Sequence, residues 1–126
     1  MSVNRTLAVT ACGLGAFCVL LGAFAAHGAG PQVRTLLTTS AHYGLVHALL
    51  AVVAAGLATH SRLILGAGWL AVIGGAIFAL ALALIGMAGL TAMGAVAPIG
   101  GVLMVAAWLL FAFGALGLRH HPRDPS

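Results

Sequence analysis

The sequence predicts an all-α protein, a bundle of four transmembrane helices with the N and C termini on the cytoplasmic side. Charge is the first reason. The 126 residues include five arginines and one acidic residue, and the 56 residues from Leu63 to Leu118 contain no charged side chain. A soluble domain typically has about a quarter of its residues charged. A charge at the centre of a bilayer costs roughly 2.5–3.5 kcal/mol even on mild insertion scales. The second reason is spacing. Arg5, Arg34, Arg62 and Arg119 divide the chain into apolar stretches 6–33, 35–61 and 63–118. About 20 helical residues cross roughly 30 Å of hydrocarbon, so the first two stretches hold one span each and the third holds two. The third reason is the sidedness of the arginines. Four spans place Arg5, Arg62, Arg119 and Arg123 on one side and Arg34 alone on the other, which fits the positive-inside rule.

The chain is therefore a single membrane domain over residues 1–126, with helices near 6–27, 38–59, 63–86 and 96–118 and a short cytoplasmic tail, 119–126. A ten-residue loop, 28–37, separates the first two helices. The break between the last two is marked by Gly86, Gly89, Thr91, Gly94 and Pro98, because Gly and Pro punctuate helices most strongly. Pro98 falls in the first turn of the fourth helix, where proline is a good helix starter. A β-barrel is excluded by apolar runs that lack a barrel's alternation. Arg5, Leu7 to Leu21 and Ala23-Phe24-Ala25 also fit the n-region, h-region and cleavage site of a signal peptide. Retention is expected, since removal would leave three spans and put Arg62 and the cationic tail on the wrong side.

The net charge of +4 does not point to nucleic acid. Arginines scattered over membrane boundaries form neither a patch nor a stripe. Arg119, His120, His121 and Arg123 read as weak anchors for anionic headgroups; two adjacent histidines without further ligands do not make a metal site. Cys12 and Cys18 are about 9 Å apart along one helix, beyond disulfide reach, and are read as small apolar packing residues.

Small residues recur at intervals of four. In the third helix these are Ala67, Ala71, Gly75, Ala79 and Ala83, in the first Ala8, Cys12 and Ala16, and in the second Ser40, Gly44 and Ala48. Such stripes let backbones approach closely in a membrane, where van der Waals packing replaces the hydrophobic effect. Sequence alone leaves open whether they face one another or a second protein.

One region is polar enough to suggest a role. The first helix ends GAFAAHG (Gly22 to Gly28), the second begins TTSAHYGLVHALL (Thr38 to Leu50), and the fourth opens GAVAPIGG (Gly94 to Gly101). All three belong to the non-cytoplasmic half in the four-span topology. Tyr43 and His47 share a helical face, while His42 lies roughly 140° away from His47. His47 is some 12–14 Å along the helix from Thr38, deep enough to require a partner. The candidate cluster is His27, Tyr43 and His47, with Pro98, Gly100 and Gly101 beside it.

These segments, in this order, together with Trp108, resemble the domain of unknown function 423 family of small four-helix membrane proteins. The resemblance covers nearly the whole chain. It implies a multi-pass protein of an inner or mitochondrial membrane, with the bacterial inner (cytoplasmic) membrane as the expected location. It brings no activity, substrate or cofactor with it. The third helix departs from the pattern, since relatives carry a polar F-S-G-S-x-Y-type segment where this chain has Phe78 followed by ALALALIG.

No nucleophile–base–orienter set, metal triad, phosphate loop or buried carboxylate pair is present, so no catalysis is expected. Neither a cofactor nor a metal is expected either. The cluster reads first as hydrogen-bonding glue between helices 1, 2 and 4, and the chain as a non-enzymatic accessory or structural subunit of a larger membrane complex. Its expected partners are membrane lipids and either another membrane protein or further copies of itself. The alternative is a binder of quinone, lipid or b-type haem through the cluster. Proton passage ranks below both, because the only acid, Asp124, is in the tail.

Overall fold

A computed structural model describes residues 2–118; the tail residues Arg119, His120, His121, Arg123 and Asp124 lie outside it. Four helices follow one another: α1 (Arg5–His27), α2 (Pro31–Leu57), α3 (Arg62–Ala88) and α4 (Ala97–Leu116), with a 3-10 turn, Thr91–Ala95, between α3 and α4. All four spans are long and apolar enough to cross a membrane.

Each helix starts and stops for an identifiable reason. The Asn4 side chain accepts from the Leu7 N–H at 3.0 Å and so caps α1, while the Asn4 N–H donates to the Ala55 carbonyl at the end of α2. Ser61 caps α3 by accepting from Ile64 at 3.3 Å. Gly89, at φ +66°, ends α3 in the left-handed conformation that glycine adopts without strain.

The start of α2 corrects the sequence reading. No ten-residue loop exists at 28–37, because Pro31, preset for a first helical turn, starts α2 seven residues earlier than residue 38. Arg34 is thereby placed on the first turn of α2. Its Nε–H donates to the Ala25 carbonyl at 3.2 Å and its Nη2 to the Ala29 carbonyl at 3.4 Å. The first satisfies a carbonyl that the end of α1 leaves free, and the second one in the linker.

The two sets of bonds also fix depth. Ala55 lies level with Asn4 and Arg34 level with Ala25, and the 21 helical steps between Arg34 and Ala55 span about 30 Å, the thickness of a hydrocarbon core. His42, Tyr43 and His47 are about 12, 14 and 20 Å from Arg34 on this scale. On this scale His42 and Tyr43 stay in the Arg34 half, just short of the middle of the span, and His47 lies just past it.

α3 is the central helix. It packs against α1, α2 and α4, and α1 also packs along α2, whereas α4 rests mainly on α3. The α3 stripe of Ala67, Ala71, Gly75, Ala79 and Ala83 is buried throughout. It meets the buried Ser40, Gly44 and Ala48 of α2, and Ser40 Oγ donates to the Ala79 carbonyl at 2.9 Å. The stripe read on α1 does not pack in this way. Cys12 and Ala16 are exposed, and the buried face carries Leu7, Ala11, Leu14, Cys18, Leu21 and Ala25 instead. Small residues do line the packed side of α1, but at other positions: Ala11, Cys18 and Ala25 are buried, and Gly15 and Gly22 lie against Ala48 and Ala41 of α2.

Candidate functional site

His47 is the polar centre of the molecule. It is 4% exposed and uses both ring nitrogens. Nδ1 lies 2.6 Å from the Tyr43 carbonyl one turn earlier, and Trp108 Nε1–H donates to Nε2 at 3.0 Å. An indole N–H can only donate, so Nε2 must be the unprotonated nitrogen and Nδ1–H must donate to Tyr43. The rings meet edge to face, with centroids 6.1 Å apart at 80°. This bridge ties α2 to α4 across residues 61 apart in sequence.

The predicted cluster is only partly assembled. Tyr43 contributes its carbonyl to His47, but its side chain points elsewhere. It is 52% exposed and stands edge-on to Phe78 at 5.4 Å. Its hydroxyl has no hydrogen-bond partner among the described residues. His27 does not join the group. It is exposed at the end of α1, level with Arg34 and so about 20 Å above His47 along the bundle. Gly100 is not beside a site at all: it is the point where α4 crosses α3. A Cβ there would come within 2.6 Å of the Phe78 nitrogen and 2.8 Å of the Gly74 carbonyl oxygen. Pro98 and Gly101 do line a cavity.

That cavity is a lateral groove of about 920 Å³ between α2 and α4. Phe78 of α3, Thr39 and Tyr43 of α2, and Pro98, Gly101 and Val102 of α4 line it, and the His47–Trp108 pair lines it too. It exists because α4 rests mainly on α3, leaving α2 and α4 held apart at the length of a histidine–tryptophan bridge. A second, smaller recess of about 440 Å³ opens between α1 and α2, lined by Gly22, Ala26, Arg34, Thr38 and His42. Arg34, Thr38 and His42 are four residues apart and share one face, so polar side chains run from the membrane boundary to the midplane. His42 is exposed there.

Two candidate residues escaped the sequence reading. Trp108 figured only as part of a resemblance, although a tryptophan inside an apolar helix needs an acceptor for its N–H, and a deep histidine elsewhere in the chain is the natural candidate. His42 was set aside as belonging to another face. Its exposure at the midplane is what makes it unusual.

The comparisons agree with this architecture. The sequence profile of the family described as protein of unknown function DUF423 matches residues 21–101, from the end of α1 to the start of α4. A UPF0382 membrane protein of Staphylococcus haemolyticus is 31% identical over 106 residues, covering 77% of this chain and 87% of the relative. No solved structure matches the chain. Four apolar spans, a profile match that takes in all of α2 and α3, and a relative named as a membrane protein lead to one assignment: the chain is a multi-spanning membrane protein of the DUF423 family.

Proposed function

We propose that the protein is a non-enzymatic accessory subunit that works by associating with another polypeptide inside the membrane. The carrying observation is His42, which projects from α2 at the midplane with no polar partner among the described residues. Ionisable side chains within spans are rare and almost always face a bundle interior, a partner group or a water-filled cavity. A histidine turned outward at that depth calls for a cover that supplies a hydrogen bond. The recess bounded by Gly22, Ala26 and Thr38 gives an incoming helix room to approach, and minimal loops leave the membrane faces as the surface on offer. The bacterial inner membrane is the location this reading favours. Arg5 and Arg62 at one end against Arg34 at the other, with Arg119 and Arg123 in the tail sequence, favour cytoplasmic termini.

The test is extraction in mild detergent followed by native mass spectrometry, with a photo-crosslinking amino acid at Ala26, which lines the same recess as His42, and, as control, at Leu20 on the outer face of α1. The expected result is one stoichiometric protein adduct from position 26, none from position 20, and loss of the complex in His42→Leu. A monomeric mass with lipid adducts alone at both positions would overturn the proposal.

A second reading, binding of a membrane ligand, is favoured by one specific observation: the free Tyr43 hydroxyl inside the α2–α4 groove. Of quinone, lipid and b-type haem, haem gains least support, since the nitrogens of His47 are already engaged.

A further inference from the structure

We infer that the α2–α4 groove is a site for a prenyl quinone, an inference that rests on the ligand-binding reading above. Size gives the first constraint. At about 920 Å³ the groove falls within the range of roughly 300–1,000 Å³ usual for small-molecule sites. Its position gives the second. It opens sideways to the bilayer and ends at the His47–Trp108 bridge near the midplane, about 12 Å along α2 from Thr39, so its occupant enters from hydrocarbon.

The third constraint is polarity. Thr39 Oγ1 donates back to the Thr35 carbonyl, and the His47 and Trp108 ring nitrogens bond to each other and to Tyr43. The Tyr43 hydroxyl is left as the polar group with a bond to give. Lipid tails offer no acceptor, and an unmet hydroxyl in an apolar medium costs free energy. The occupant must therefore be largely apolar and carry an acceptor oxygen. The fourth constraint is charge. No cationic side chain lines the groove, and Arg34 is bound to the end of α1. A phosphate headgroup would find no counter-charge there. The fifth is shape, since Tyr43, Phe78 and Trp108 present aromatic surfaces suited to a flat ring. A ring bearing carbonyl oxygens and an isoprenoid chain meets all five conditions, with one carbonyl accepting from Tyr43 and the chain lying against Val102.

Gly101 provides a clean test, because a Cβ added there meets no atom within 4 Å, so Gly101→Leu fills the groove without pushing helices apart. The experiment titrates decylubiquinone into nanodisc-reconstituted protein carrying Trp69→Phe, so that Trp108 reports by fluorescence quenching. In parallel, molecules co-purifying with the protein are extracted and identified. Expected are saturable quenching, loss of saturation in Gly101→Leu at an unchanged melting temperature, and binding weakened about five- to tenfold in Tyr43→Phe, the loss of one hydrogen bond. Co-purified phospholipid that Gly101→Leu displaces, without saturable quenching by the quinone, would overturn the quinone assignment and leave a ligand groove. Quenching that is non-saturable and equal in all variants, with nothing displaced by Gly101→Leu, would overturn the ligand reading as well.

Discussion

The α2–α3 seam and the gap between α2 and α4 are built by opposite means. Towards α1 and α2 the helices close on small residues. A Cβ on Gly44 would overlap the Cys18 sulfur, and one on Gly75 would come within 3.2 Å of Leu14 Cδ2 and 3.3 Å of His47 Cβ. Towards α4, α3 packs closely where Gly74 meets Gly100 and again where Ile64 meets Gly114, while the side-chain hydrogen bond from α2 to α4 is His47–Trp108. In hydrocarbon, a seam of glycine and alanine brings backbones together and leaves no space. A bridge between two long side chains holds helices at a set distance and keeps the space between them open. One molecule thus has a closed seam that maintains the fold and an open one that offers a groove.

Substitutions can break this contrast in graded steps. The largest effect is expected on the closed seam. Gly75→Leu puts a branched side chain against Leu14 and His47, and should cost about 3 kcal/mol or more of unfolding free energy. Leu80→Ile, on an exposed face, should change stability by less than about 0.5 kcal/mol. Thermal unfolding in detergent compares the pair, and equal tolerance would show that the seam does not bear on the fold.

Next comes the crossing of α3 and α4. Gly100→Ala sets a methyl against the Phe78 and Gly74 backbones, which cannot swing aside as a side chain would, and should cost about 1–3 kcal/mol. Gly101→Ala, one residue on and with nothing within 4 Å, should be within about 0.5 kcal/mol of the parent. The difference between neighbouring glycines, read as two melting temperatures, separates the crossing from the groove. The smallest effect belongs to Tyr43→Phe. Its carbonyl remains available to His47 and its hydroxyl holds no helix, so ligand-free stability should move by less than about 0.5 kcal/mol.

The sequence carried the spans and the closed seam because both follow from local pattern: charge-free runs set the number of helices, and the four-residue repeats of Ala67 to Ala83 and Ser40 to Ala48 lie on faces that helical geometry alone defines. It failed where geometry depends on distant parts of the chain. The polar first turn of α2, PQVRT, reads as loop until Arg34 is seen binding the end of α1. Moving that start shifts the depth of everything after it, so His47 lies further from the outer end of α2 than the sequence placed it. His47 was paired with Tyr43, its neighbour on one helical face, because nothing local points to Trp108. Cys12 and Ala16 have the right spacing for a seam but face outward, since spacing gives a stripe without saying which way it turns.

The central claim is that His47 and Trp108 act as one unit that spans the open side. A double-mutant cycle on His47→Ala and Trp108→Phe, read as unfolding free energies in the same lipid, measures it directly. Membrane hydrogen bonds between helices are worth about 0.6–2 kcal/mol, and partners in one bond lose that amount only once. The predicted result is a coupling energy of about 1 kcal/mol or more between the two sites, with no comparable coupling between His47→Ala and Tyr43→Phe. Strict additivity of His47→Ala and Trp108→Phe would contradict the bridge and, with it, the account of how the groove is held open.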